Sequence, residues 1–314
     1  MARIWITGAH GFIGRHLAAW LSRQGHEVAG IGHGAWPQPE AAVWGVRYWL
    51  NGEIHLSNLQ QLARDRGVPD HIFHLAGGSS VGAAIANPRE DFTRTVATTA
   101  ELLEWIRLDA PNVRIIAVSS AAVYGSDHSG PIREDQAHRP FSPYGYHKLM
   151  MENLCGSYAA SYGISAVVLR LFSVYGRCLK KQLLWDMCAK LSSNKGELKL
   201  GGTGDELRDW TDVRDVVRAL ELMTSLSFDS GSTQIINAGS GKGTSVSQIA
   251  ELVLDCWPTT GHVTFSGESR PGDPYSLVAD GSLLQTMGFQ WNIPVDSGVH
   301  DYVRWYLQYS RSDV

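Results

Sequence analysis

The octapeptide Thr7-Gly8-Ala9-His10-Gly11-Phe12-Ile13-Gly14 follows the β-branched run Ile4 to Thr7. It opens a stretch in which Ile13, Leu17, Trp20 and Leu21 share one helical face. A strand, a TGxxGxxG turn and a helix in that order leave few folds open. Gly8 permits the tight turn, Gly11 lets the backbone approach a pyrophosphate, and Gly14 lets helix and strand pack closely. The first-turn N–H groups, from Phe12 and Ile13 onward, face the phosphate charge. Gly25 stands where the helix would end, and the run Glu27 to Ile31 starts a second strand, a βαβ unit of about 30 residues.

Further runs at His71 to Leu75, Arg114 to Ser119, Ala166 to Leu171 and Gln234 to Asn237 alternate with helical patterns. That order implies an α/β fold with a doubly wound parallel sheet of the Rossmann type. After Phe172 the spacing predicts a helix over Lys180 to Ser193, glycine-broken strands over Gly196 to Trp210, and turns and loop over Gly261 to Pro274. A helix over Asp212 to Ser225 returns the chain to the sheet. The expected division is a dinucleotide-binding domain, 1–171 with 212–238, and a smaller C-terminal substrate lobe, 172–211 with 239–314.

Charge and cysteine content narrow the partners. With 27 basic and 31 acidic residues, neither nucleic acid nor a membrane surface is expected to bind. Cys155, Cys178, Cys188 and Cys256 form no CxxC pair and read as packing residues in a reducing compartment. The N-terminus runs straight into the glycine turn without a signal-peptide pattern, and no apolar stretch approaches the roughly 20 residues of a membrane span. A cytoplasmic protein is expected. The 12 histidines include no HExxH pair, so no metal is expected. Trp36, Trp44 and Trp49 have no basic stripe beside them and read as packing.

The second strand ends in Ile31-Gly32-His33-Gly34, where sites that prefer NAD usually carry a carboxylate for the ribose hydroxyls. Its absence permits a 2′-phosphate, and His33 adds a donor. The cofactor is therefore read as NADP or NAD. Downstream, Ser119-Ser120-Ala121-Ala122-Val123-Tyr124-Gly125 closes a strand and Ser142-Pro143-Tyr144-Gly145-Tyr146-His147-Lys148 opens a helix. A four-residue spacing stacks Tyr144 and Lys148 on one face, so an ammonium can lower the phenol's pKa, and a serine hydroxyl can share its hydrogen bond. Such a phenol passes a proton to or from a sugar hydroxyl.

Together with His74-Leu75-Ala76-Gly77, Leu169 to Gly176, Arg208-Asp209-Trp210-Thr211-Asp212-Val213, Asn237 to Gly241 and Arg270-Pro271-Gly272-Asp273, these motifs make nearly the whole chain resemble the extended short-chain dehydrogenase/reductases. The likeness is to the UDP-galactose 4-epimerase-like branch, the NAD-dependent epimerase/dehydratase family. The resemblance implies Ser120, Tyr144 and Lys148 as the catalytic set and a nucleotide-diphosphate sugar as substrate. It adds His33, Glu53, Ile54, Leu75, Ala76 and Gly77 to the glycine turn as cofactor contacts. Ser79, Ser120 and Ser173 would contact the substrate, with Arg208 and Arg270 clamping its diphosphate through bidentate forks. It also implies a homodimer paired through the helices around Asn87 to Arg107 and Tyr144 to Tyr162.

Departures from the family pattern narrow the reaction. Ala121-Ala122 stands where dehydratases carry Asp-Glu, which disfavours dehydration, and Thr95 and Ser173 replace frequent asparagines. Hydride transfer at C4 of the sugar is expected. Gly32 tilts the reading toward an NADPH-using 4-ketosugar reductase, with a 4-epimerase as the alternative. The segment Gly78-Ser79-Ser80-Val81-Gly82 also fits the GxSxG of an α/β-hydrolase, with Asp273 and His300 as partners, but that reading leaves the glycine turn and Tyr144 unexplained. A regulatory protein that binds cofactor without turnover has no need of a tuned acid. Gly239 to Thr244 lacks the Walker spacing and reads as a turn before a helix.

Overall fold

A computed structural model describes residues 1–193, 196–227, 231–268 and 274–312. The first half runs β1 (Arg3–Thr7), α1 (Phe12–Arg23), β2 (Glu27–Gly32), α2 (Gln38–Val43), β3 (Val46–Asn51), α3 (Leu56–Arg66), β4 (His71–His74), α4 (Val81–Ala86), α5 (Pro88–Phe92), α6 (Thr98–Asp109), β5 (Arg114–Ser120), α7 (Pro143–Tyr162) and β6 (Ala166–Leu171). There follow β7 (Ser173–Tyr175), α8 (Gln182–Ser193), β8 (Glu197–Leu200), β9 (Leu207–Asp212), α9 (Val213–Ser225), β10 (Thr233–Ala238), β11 (Gly243–Ser245), α10 (Val246–Asp255), β12 (His262–Phe265), β13 (Ser276–Leu277), α11 (Ser282–Thr286) and α12 (Val295–Ser312).

The chain divides into two compact units. One comprises Met1–Tyr124, Ala137–Leu171 and Val217–Ile236, the other Gly125–Gln136, Phe172–Val216 and Asn237–Val314. The division read from sequence differs in giving residues 125–136 to the first unit and in keeping the Asp212 to Ser225 helix whole.

The main sheet has the strand order β10-β6-β5-β4-β1-β2-β3. β1, β5 and β6 are buried almost throughout, as central parallel strands covered on both faces must be. Trp5, Ile72, Ile115 and Val168 pack against Leu102, Leu103, Trp105 and Ile106 of α6 and Met151, Cys155 and Ala159 of α7. Trp5 and Trp105 stack with ring centroids 5.0 Å apart. α1 ends at Gly25, whose φ of +85° turns the chain back toward β2. Chain order reverses between β1 and β4, so the connections leave them in opposite directions and a crevice opens at their C-terminal ends.

In the second unit, β9 lies between β11 and β13 and also pairs with β7. β8 and β12 form a separate parallel pair. The strand at His262–Phe265 corrects the expected loop: Val263 and Phe265 are half-buried while His262 and Thr264 are exposed, a period of two. Among the described residues no helix is long and apolar enough to cross a membrane.

Candidate active site

The glycine turn stands where β1 meets the crevice. Gly8 has φ +73° and donates its N–H to the Ile31 carbonyl at 2.8 Å; a Cβ there would sit 3.0 Å from the Ala76 nitrogen. A Cβ on Gly14 would run into the Gly8 carbonyl, so α1 packs against the turn only without one. α1 begins at Phe12 with Gly11 as its cap, and its first turn holds no acidic residue. Such a helix start is an anion cradle, and these residues fit a dinucleotide pyrophosphate.

At the end of β2, His33 is exposed and its carbonyl accepts from the His10 ring. That ring stacks on Trp36 at 4.7 Å and meets Trp49 edge-on at 6.1 Å, while the Trp49 indole donates to the Gly34 carbonyl at 3.1 Å. Aromatic rings take the place of a carboxylate here. Glu53 is exposed, its carbonyl accepting from Asn58 Nδ2 at 2.8 Å, and Ile54 is buried within the core cluster.

Leu75, Ala76 and Gly77 leave β4 across the crevice. The Ala76 N–H donates to Thr7 Oγ1 at 3.2 Å and the Gly78 N–H to Thr95 Oγ1 at 2.8 Å. Thr95 lies in a π-helical turn, Thr93–Ala97, between α5 and α6. Ser142 caps α7, accepting from the Gly145 N–H at 3.3 Å, and Pro143 occupies the first turn. This sets Tyr144 at the helix mouth and Lys148 one turn on. A Cβ on Gly145 would meet the Ala122 carbonyl at 2.6 Å, so α7 lies directly against the turn after β5. That contact brings Tyr144 within hydrogen-bonding range of Ser120, whose Oγ also accepts from the Ala122 N–H at 3.2 Å.

Lys148 is buried, and its Nζ donates to the Val118 carbonyl at 2.9 Å. It stands 6.0 Å from the centre of the Tyr144 ring. Desolvation pulls its amine down from 10.5 to about 8, against the pull of Asp91 and Glu152. The tyrosine differs from the sequence expectation of a lowered pKa. Desolvation raises the phenol, Asp91 adds to the rise, and only the Ser120 hydrogen bond opposes it.

Charged groups surround this set at depth. His147 Nδ1 donates to Asp91 at 2.6 Å, and both are buried. Arg170 clamps Glu152 at 2.6 and 3.0 Å and donates to the Tyr124 hydroxyl at 2.7 Å. Sequence reasoning did not single out Thr7, Asp91, Thr99, His147 or Glu152. The legible signal was a polar residue set in an otherwise apolar strand end or helix face.

The remaining expected residues lie on other elements. Ser79 is exposed, and Ser80 is the N-cap of α4, accepting from the Ala83 N–H at 3.3 Å rather than standing as a nucleophile. Ser173 and Arg208 lie on paired strands of the second unit, Ser173 opposite Trp210, and Arg208 Nη1 donates to the Leu207 carbonyl at 2.8 Å. Arg270 and Asp273 lie outside the described residues. Among the described residues no His, Cys, Asp or Glu cluster is arranged to hold a metal ion.

Known proteins resemble the chain along its length. A UDP-glucose 4-epimerase of Corynebacterium glutamicum is 30% identical over 292 residues, 88% of this chain and 87% of its own. One from Azospirillum brasilense is 28% identical over 99% of this chain and 92% of its own. The crystal structure of UDP-glucuronic acid 4-epimerase from Bacillus cereus, in complex with UDP-glucuronic acid and NAD, superposes with a TM-score of 0.87 at 26% identity, covering 98% of this chain and 99% of that one. The family model described as the NAD dependent epimerase/dehydratase family matches residues 4–239. The chain belongs to that family.

Proposed function

We propose that the protein is an NAD-dependent 4-epimerase of a UDP-linked hexose. The observation that carries this reading is the near-full-length likeness to UDP-glucose and UDP-glucuronic acid 4-epimerases, joined to the Ser120, Tyr144 and Lys148 set in the first unit. The reductase reading rested on the missing carboxylate at Gly32 alone, and the relatives favour its alternative. NAD, held by the turn from Gly8 to Gly14 and by Lys148, supplies the hydride acceptor. Ser120 Oγ holds the sugar oxygen. Tyr144 Oη would act as the base in its phenolate form, which the Lys148 ammonium and the cationic nicotinamide of bound NAD would favour against burial, taking the proton of the C4 hydroxyl and handing it back to the C4 oxygen. No net proton is taken up or released over a complete cycle.

Arg208 and Arg270 are assigned to the diphosphate and Ser79 and Ser173 to the sugar side. A homodimer is proposed through α5 and α7, where Phe92, Tyr146 and Met150 are exposed. The test is incubation with UDP-glucose, UDP-galactose and the corresponding uronic acids, read by chromatography and absorbance. Interconversion of C4 epimers without net loss of reduced cofactor is expected. Stoichiometric NADPH consumption with a 4-keto sugar would overturn the reading.

A further inference from the structure

His74 ends β4 and stands opposite Thr7 in the register with β1, where the two strands part. It is fully buried. Its Nδ1 lies 2.8 Å from Thr7 Oγ1 and its Nε2 2.9 Å from Thr99 Oγ1. Elimination fixes the direction of each bond. The single hydroxyl proton of Thr99 goes to the Thr95 carbonyl at 2.6 Å, so Thr99 Oγ1 accepts from His74 and the ring proton is on Nε2. Burial and the Lys148 charge push the imidazole down to about 3, which keeps the ring neutral. Nδ1 is then an acceptor and takes the Thr7 hydroxyl proton, while Thr7 Oγ1 accepts the Ala76 N–H at 3.2 Å.

The hydrogen bonds run from Thr7, next to Gly8 in the phosphate-binding turn, through His74 and Thr99 to the Thr95 carbonyl. The hydroxyl of the same Thr95 accepts the Gly78 N–H at 2.8 Å. Between these ends runs the strip Leu75–Gly78, and a Cβ on Gly77 would lie 3.3 Å from both Lys148 Nζ and Thr95 Oγ1. A buried aliphatic residue at 74 would leave the Thr7 hydroxyl without its acceptor and the Thr99 oxygen without its donor. An imidazole held neutral donates at one end and accepts at the other, spanning β1 and α6.

We propose that His74 is a neutral positioning residue that ties the Thr7–Gly8 turn to the Leu75–Gly78 strip and so fixes the backbone lying against Lys148. The proposal rests on reading this strip as part of the dinucleotide site. Its core is tested without any ligand: 15N NMR of the His74 ring is expected to show Nε2 protonated and Nδ1 bare between about pH 5 and pH 9. An Nδ1–H tautomer, or titration within that range, overturns it.

The consequence is tested by NAD calorimetry. His74→Phe removes both bonds and is expected to weaken NAD binding about tenfold. His74→Asn keeps an acceptor for Thr7 and His74→Gln a donor for Thr99, so each is expected to recover part of the affinity. A residue serving stability alone would lower Tm in all three without graded recovery. Should His74→Phe fail to fold, Thr99→Val removes the Nε2 partner, and NAD affinity unchanged in that variant overturns the proposal. Absence of NAD binding by the wild type would instead refute the proposed function, with the NMR result standing apart.

Discussion

Replacing Lys148 by methionine is expected to stabilise the protein while abolishing its turnover. At neutral pH the wild type holds an ammonium in a buried setting that pulls its pKa from 10.5 to about 8. At about 1.4 kcal/mol per pH unit, that displacement amounts to about 3 kcal/mol of native-state cost. Methionine fills similar volume without a charge but leaves the Val118 carbonyl without its 2.9 Å donor, a loss of about 1 kcal/mol. The net gain is about 2 kcal/mol at pH 7. Below about pH 8 both native and unfolded amines carry the proton, and the wild type bears the full cost. Between about 8 and 10.5 the native amine releases its proton while the unfolded one keeps it, so wild-type stability rises with pH relative to the variant. Urea denaturation of both proteins across this range reads the difference directly. A variant less stable than wild type at pH 7, or a gap that does not close toward pH 10.5, would refute the argument that burial governs Lys148.

Tyr144→Phe removes one oxygen and leaves the ring in place, so turnover should fall about a hundredfold or more with NAD affinity retained; near wild-type kcat would remove Tyr144 from the proton-transfer role. Gly32→Asp, the direct way to install a ribose carboxylate, brings a Cβ to 3.1 Å from the Trp49 ring. The double variant Gly32→Asp with Trp49→Val, which makes room for the new side chain, is therefore expected to prefer NAD over NADP in calorimetry, since a carboxylate repels a 2′-phosphate; equal affinities would show that position 32 does not control the choice. Phe92→Glu with Met150→Glu should convert a dimer to a monomer in light scattering at micromolar concentration. Wild type running as a monomer would dismiss the α5 and α7 pairing.

What could be read from the sequence was local. The glycine turn, the Ser142 cap and the four-residue step from Tyr144 to Lys148 are short-range patterns whose geometry follows from one strand end or one helix turn. The His74 relay was not legible in that way, because Thr7, His74, Thr95 and Thr99 meet only when β1, β4 and the helix after α5 come together. The phenol's raised pKa was hidden for the same reason. A spacing of four places the ammonium nearby, but burial, which raises Tyr144, belongs to the assembled interior. β3 was not among the apolar runs, since Val46-Arg47-Tyr48-Trp49-Leu50-Asn51 mixes exposed and half-buried positions on a sheet edge. The reductase reading leaned on one missing carboxylate, a single-residue signal where the reaction depends on the whole site.

The π-turn at Thr93–Ala97 bears on how this site can change. A wider turn slows the rotation of side chains about the helix axis, so Asp91, Thr95 and Thr99, each four residues from the next, drift less around the helix than in a regular α-helix. All three are buried, serving in turn His147, Gly78 and His74. The turn thus works as gearing between α5 and α6. Point substitutions along the segment leave the gearing intact, whereas removing one residue would rephase one helix against the other and pull Asp91 or Thr99 off its partner. The length of Pro88 to Thr99 is thus constrained along with the identities of Asp91, Thr95 and Thr99, and a graft of this site onto another scaffold would have to carry that stretch as one piece.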